Sequence, residues 1–102
     1  MTVRPSSMAE FAARSAEAAG MLRELANEKR LLILCQLMDR TEMSVNDIAS
    51  AVDLSQSALS QHLGRLRDRN LVTFRRDGST LFYSVADGNV GRILKTLKSI
   101  YC

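Results

Sequence analysis

Residues 44–85 read SVNDIASAVDLSQSALSQHLGRLRDRNLVTFRRDGSTLFYSV, and their punctuation decides the fold. Ser44-Val-Asn-Asp47 has the pattern of a capping box, with the serine side chain on the N3 amide and Asp47 reaching back. A short helix follows, with Val45, Ile48, Ala49 and Val52 facing inward. Asp53-Leu54 is a turn. Ser55 then caps a second helix whose buried face is Ala58, Leu59, Leu63 and Leu66. That leaves Gln56, Ser57, Ser60, Gln61, Gly64 and Arg65 outward. Asn70 is a natural stop, because asparagine tolerates the left-handed conformation. Beyond it the apolar period changes to two, over residues 71–76 and 80–85. Asp77-Gly78 sits between these runs as a hairpin signal, both positions tolerating positive φ.

Upstream, Asn27 caps a helix in which Leu31, Leu32, Ile33, Leu34, Cys35, Leu37 and Met38 are apolar on nearly all sides, which predicts burial. Before it, Met8, Phe11, Ser15, Ala18, Leu22 and Leu25 recur at steps of three and four, one stripe of a long helix over about residues 8–25. Residues 1–7 hold the only proline and no apolar period, and read as a flexible tail. Downstream, Val90, Ile93, Leu94, Leu97, Ile100 and Tyr101 mark a last helix, with Arg92, Lys95 and Lys98 on its wet side. The expected order is α-α-α-α-β-β-α, mainly α with a two-stranded β-hairpin. Two short helices joined by a tight turn and followed by a hairpin describe a winged helix-turn-helix, spanning residues 8–102.

At 102 residues the chain fits one domain. Hydrophobic residues at 46% and charged residues at 25% are ordinary globular values, which excludes wholesale disorder. No apolar run reaches the roughly 18 residues of a membrane span. Without a basic-then-apolar leader pattern, the expected compartment is the cytoplasm. The net charge of +3 is modest but clustered. Arg65, Arg67, Arg69, Arg75 and Arg76 stand against one acid, Asp68, between residues 65 and 76. Gln56, Ser57, Ser60 and Gln61 can donate and accept hydrogen bonds at base edges in a major groove, which admits one α-helix. Arg65, Arg75 and Arg76 supply charge for phosphates. A solvated helix surface would carry the same residue types. Their place on the second helix of a helix-turn-helix, directly before an arginine-bearing wing, favours double-stranded DNA as partner. His62, the only histidine, lies between outward Gln61 and inward Leu63 and is expected to pack or to touch phosphate. A lone histidine makes a poor zinc site, since zinc takes about four ligands.

These residues resemble the ArsR-type (ArsR/SmtB) winged-helix repressors. LRELANEKRLLIL (residues 22–34) resembles that family's second-helix signature, and LSQSALSQHLGRLRDRNLV (residues 54–72) its recognition helix leading into the wing. The resemblance implies a homodimer through the first and last helices, a palindromic operator and no enzymatic activity. Many such proteins sense metals. Met43-Ser-Val-Asn-Asp47 lacks the paired thiols of one metal pattern. Asp87 is followed by Asn89, Lys95 and Lys98 where another wants ligands, so neither metal nor cofactor is expected. A metal-responsive repressor remains the alternative, through a site built between subunits. Cys35 and Cys102 stand where the thiol-sensing, persulfide-responsive subgroup carries its pair, one on the second helix and one near the end of the last. That likeness implies reactive sulfur species as inducer, joining the thiols through a di- or polysulfide and lowering operator affinity. It is equally compatible with a redox regulator that activates by anti-silencing. Taken alone, Cys35 reads as a small buried hydrophobe, whereas Cys102, next to Tyr101, has no packing duty.

Overall fold

The computed structural model of the chain describes residues 5–102. Six helices and three strands follow each other as α1 (Pro5–Ala13), α2 (Ser15–Leu25), α3 (Glu28–Arg40), β1 (Met43–Ser44), α4 (Val45–Val52), α5 (Gln56–Asp68), β2 (Val72–Asp77), β3 (Thr80–Val85) and α6 (Gly88–Tyr101). With α1 and α2 taken as two arms of one helical stretch, the order is the expected one, and β1 is added to the hairpin. Of the tail expected over residues 1–7, residues 1–4 lie outside the described residues, and Pro5–Ser7 belong to α1.

The continuous helix expected over 8–25 is interrupted at Arg14, which leaves the helical region with φ −111° and ψ 9°. The cause is local. The Ser15 hydroxyl donates to the Ala12 carbonyl at 2.9 Å, and the Arg14 amide turns to Phe11 O at 3.0 Å. A serine that bonds its own backbone competes with the helical ladder. The expected caps form: Asn27 accepts from the Arg30 amide at 3.0 Å, and Ser44 from the Asp47 amide at 3.2 Å. The Asp47 side chain makes no return bond among the described residues, so only the serine half of the capping box is built. Asp53 and Asn70 take left-handed conformations, φ 55° and 58°, and end α4 and α5.

The sheet has the order β1-β3-β2, all antiparallel, with Phe74 opposite Tyr83 and Asp77 opposite Thr80. The hairpin loop is therefore Gly78-Ser79, one residue later than Asp77-Gly78. Only Gly78 has positive φ, at 63°. A loop of this kind needs glycine at its first central position, and Asp77 stays in the ladder.

One core gathers Ile33, Leu34 and Leu37 of α3, Ile48 and Val52 of α4, Leu59, Leu63 and Leu66 of α5, Tyr83 of β3, and Val90 and Leu94 of α6. The expectation that α3 is buried all round holds on one side only, because Leu32 and Met38 are exposed. Exposed too are Met8 and Phe11 of α1, Leu22 of α2, and Ile100 and Tyr101 of α6. The stripe read from the sequence on residues 8–25 thus finds little to cover it within one protomer.

Between α3 and β1, Thr41 has φ 69° and ψ −49°, and the Glu42 amide donates to Arg40 O at 2.7 Å. This is a γ-turn of the rare, strained hand, on a β-branched residue that disfavours positive φ. Thr41→Gly relieves strain of about 1–3 kcal/mol against about 0.5–1 kcal/mol of added chain entropy. Urea unfolding should show the variant more stable by about 1 kcal/mol; a loss of stability would mean that Thr41 is not strained.

Candidate nucleic-acid interface

The α5 helix is fixed from below. Leu59, Leu63 and Leu66 are fully buried, and the Ser55 side chain accepts from the Ala58 amide at 3.1 Å. That rotation leaves Gln56, Ser57, Ser60 and Gln61 exposed on the first two turns. The face read from the sequence is brought together as one surface of amides and hydroxyls. It also has a member that the sequence reading missed. Asn46, on the first turn of α4, accepts a hydrogen bond at Oδ1 from the Gln56 side-chain amide. Asn46 stood inside a capping box and was read only as part of the cap.

The charged residues expected beside this face divide into distinct groups. Arg65 does not stand free for phosphate: Nε and Nη2 grip the two Glu24 oxygens at 2.9 and 3.0 Å. Arg75 grips Glu42 at 2.8 Å through each of two nitrogens, and its guanidinium lies 4.8 Å from the Phe82 ring centroid. Successive strand residues face opposite ways, so Arg76 is on the other side of the wing. Among the described residues it has no ion pair. Arg67 lies over Phe74 at 5.3 Å. His62 turns inward, with Nδ1 3.4 Å from Arg30 Nη1. Burial, then the neighbouring Arg30 and Arg65, hold its pKa below the ordinary histidine value. The half-buried ring thus packs against Arg30 behind α5.

The two cysteines are free thiols. Cys35 is half-buried on α3 and borders a cavity of about 220 Å³ together with Met38, Gly91, Leu94, Lys95 and Lys98. The α6 side of that cavity is one helical stripe. Cys102 stands four residues beyond Lys98, and its amide donates to Lys98 O at 2.9 Å. Four residues are one turn, so the stripe that faces Cys35 ends at Cys102, which is exposed. Among the described residues no three His, Cys, Asp or Glu side chains form a group able to hold a metal ion. Asp87 caps α6, accepting from the Asn89 amide at 2.9 Å.

Behind the outward face lies a buried charge cluster that no local sequence pattern marks. Glu24 of α2 is 5% exposed and Arg30 of α3 is 7% exposed. Arg30 Nε donates to Glu24 O at 2.5 Å and lies 3.8 Å from its carboxylate, while Arg65 comes down from α5. The hydrogen bond from Arg65 holds the Glu24 pKa below the usual carboxylate range, against the opposing effect of burial. A depressed carboxylate pKa stabilises the fold above its unfolded value, near pH 4.3, and that stability is lost as pH falls through the folded value. The depressed His62 pKa acts earlier: stability falls as pH drops below about 6.5, where only the unfolded chain takes the proton. Glu24→Gln should lower stability at pH 7 by about 2–3 kcal/mol, less than for a fully buried pair because Arg65 is half-exposed. The deficit should narrow below about pH 4. His62→Gln should flatten the loss that begins near pH 6.5. Urea unfolding across pH 3–8 measures both, and parallel profiles for all three proteins would contradict the assignment.

Comparison with known proteins agrees with this geometry. Residues 27–73 match the family described as "Bacterial regulatory protein, arsR family". The transcriptional activator HlyU of Vibrio cholerae is 43% identical over 98 residues, covering 96% of this chain and 90% of HlyU. The structure of reduced HlyU from Vibrio cholerae superposes with a TM-score of 0.84 at 44% identity, covering 91% and 97% of the two chains. The transcriptional repressor BigR from Xylella fastidiosa gives a TM-score of 0.87 at 29% identity, over 100% and 98%. A homodimeric winged helix-turn-helix DNA-binding domain from Mycobacterium bovis gives 0.78 at 31% identity, over 88% and 82%. With α4 and α5 as the helix-turn-helix, β2 and β3 as the wing, and named regulators rather than enzymes as its relatives, the chain belongs to the arsR family of winged helix-turn-helix, DNA-binding transcriptional regulators.

Proposed function

We propose that the protein is a cytoplasmic homodimeric repressor that leaves its operator when reactive sulfur species join Cys35 to Cys102. The observation that carries the proposal is the stripe of α6 that lines the Cys35 cavity and ends at Cys102. Two free thiols on adjacent helices, neither of them on α5, suit a switch that leaves the reading surface itself unmodified.

In the reduced dimer each α5 enters a major groove of a palindromic site, half-sites about one helical turn apart. Gln56, Ser57, Ser60 and Gln61 read base edges, and Arg75 and Arg76 hold phosphates on the two sides of the wing. Arg65 and His62 act from behind, as anchors of α5. The exposed apolar residues of α1, α2 and α6 support pairing with a second copy through these helices. The relative from Mycobacterium bovis is itself described as homodimeric.

The sulfur chemistry balances without a further oxidant. The Cys35 thiolate attacks the sulfane sulfur of a hydropersulfide, releasing the donor thiol and leaving a cysteine persulfide. The Cys102 thiolate then attacks the Cys35 sulfur and expels hydrosulfide, giving a disulfide. If Cys102 is first persulfidated in the same way, the product is a trisulfide. A link of either length ties α3 to α6. It favours a dimer geometry in which the reading helices no longer match the groove spacing. The name of HlyU, a transcriptional activator, favours a second output of the same switch: displacement of a silencing protein, with activation as the result.

Operator affinity before and after a persulfide donor tests the switch. A fall of about 5–150-fold is expected, absent in Cys35→Ser and Cys102→Ser, with mass spectrometry giving the number of bridging sulfurs. A response that survives both substitutions ends the sensing proposal and leaves DNA binding standing. For the wing, Arg76→Ala should weaken binding to all sequences alike and reduce the salt slope by about 1. An unchanged slope would remove Arg76 from the phosphate contacts.

A further inference from the structure

Gln56 does not enter the reading face as a free side chain, because its amide nitrogen donates to Asn46 Oδ1 across the helix-turn-helix. Both residues are exposed, and each sits on the first turn of its own helix. Their backbones are anchored separately, by Ser44 on the Asp47 amide and by Ser55 on the Ala58 amide. Two rigid helix starts thus present two amides already joined. We propose that Asn46 is a specificity-determining positioning residue, which holds the Gln56 amide in the orientation that recognises adenine. The inference rests on the reading of α5 as the base-contacting helix.

The chemistry follows from the two hydrogens of a primary amide. Bidentate contact with adenine uses the glutamine carbonyl, which accepts from N6, and the N–H on the same side, which donates to N7. The other N–H has no place in that contact, and it is the hydrogen available to Asn46. One bond to Asn46 therefore leaves the adenine-reading edge intact and fixes which edge is outward.

The clamp matters because Gln56 otherwise has room to move. A groove of about 670 Å³ opens beside the pair, bordered by Ser44 and Asn46 on one side and by Thr80 and Phe82 of the wing on the other. A glutamine without a partner loses much rotamer freedom when it meets a base, and it can turn its amide over to offer donor and acceptor in the reverse order. A glutamine already held avoids both penalties, which is the general advantage of preorganisation. Asn46 should therefore act on the choice of base more than on overall affinity.

Selection of bound sites from a library of randomised DNA duplexes, by the full-length reduced protein, tests this directly. Wild type should return a motif with adenine at the position lost in Gln56→Ala, where discrimination falls by about ten-fold. Asn46→Ala should weaken the same position by about three-fold or more and leave the others unchanged, with no effect on thermal unfolding. Asn46→Asp keeps an acceptor for the Gln56 N–H while adding a negative charge near phosphate. It should retain the adenine preference and bind more weakly at low salt, with the deficit shrinking as salt screens the added repulsion. Two results overturn the inference alone: Asn46→Ala returning the wild-type motif, or altering a position that Gln56→Ala does not. A wild-type selection with no motif overturns the base-reading role of α5, and the inference falls with it.

Discussion

The carboxylate of Glu24 is the point on which the arrangement of helices depends. It lies where α2, α3 and α5 meet, and each helix contributes to the contact: Glu24 itself, Arg30 through the Glu24 carbonyl and carboxylate, and Arg65 through a two-pronged grip. Hydrophobic burial alone would not fix α5 this closely. Leucines at three positions define which face is inward, but apolar contact is non-directional and tolerates sliding along the axis. A bidentate arginine–carboxylate pair has a preferred plane and distance. The apolar face selects the rotation of α5, and the Glu24 grip selects its position along the axis and ties it to α2, whose exposed Leu22 lies two residues before Glu24.

Much of this was legible in the sequence for local reasons. The caps at Asn27, Ser44 and Ser55, the left-handed stop at Asn70 and the inward leucines of α5 each follow from residues within a turn of one another. The outward row from Gln56 to Gln61 follows from them by elimination. What stayed hidden depends on contacts distant in sequence. Arg65 and Glu24 are 41 residues apart and Arg75 and Glu42 are 33 apart, so a count of clustered arginines treated both as free. Arg75 and Arg76 were grouped because they are adjacent, yet adjacency in a strand means opposite faces. The break at Arg14 had a local signal, since Ser15 interrupts an alanine-rich run, but an apolar period does not register a hydroxyl that takes a backbone carbonyl.

The wing shows how neighbouring arginines acquire different duties. Arg75 is held between the Glu42 carboxylate and the Phe82 ring, and the hydrogen bond to Glu42 raises its pKa further above an already high value. The same hydrogen bond, from the other side, holds the Glu42 carboxyl below its ordinary value. Such a group is ordered before any ligand arrives, though part of its charge is already compensated. Arg76 is the reverse: exposed, and without an ion pair among the described residues. An ordered contact favours register and a mobile one favours long-range attraction. The γ-turn at Thr41 leads directly into Glu42, which meets Arg75 of β2 across the intervening β3.

The same frame gives the proposed thiol switch a route to α5. Cys35 and Arg30 share α3 and are five residues apart, about 7.5 Å along the axis of a rigid helix. Arg30 meets Glu24, and Glu24 holds Arg65 of α5. A link from Cys35 to α6 would act on the element that carries this anchor. A ligand or bond shifts an equilibrium only by the difference in its interaction with the two states, so the tether must fit one dimer geometry better than the other. Glu24 is well placed to make that difference felt. Apolar packing can yield gradually as α3 moves, whereas a two-pronged ion pair is either made or broken. Losing it leaves the buried Glu24 carboxylate with Arg30 alone, 3.8 Å away. Under the proposed switch, the cluster would set a threshold: small displacements of α3 would be resisted, and one large enough to part Glu24 from Arg65 would free α5 from this anchor.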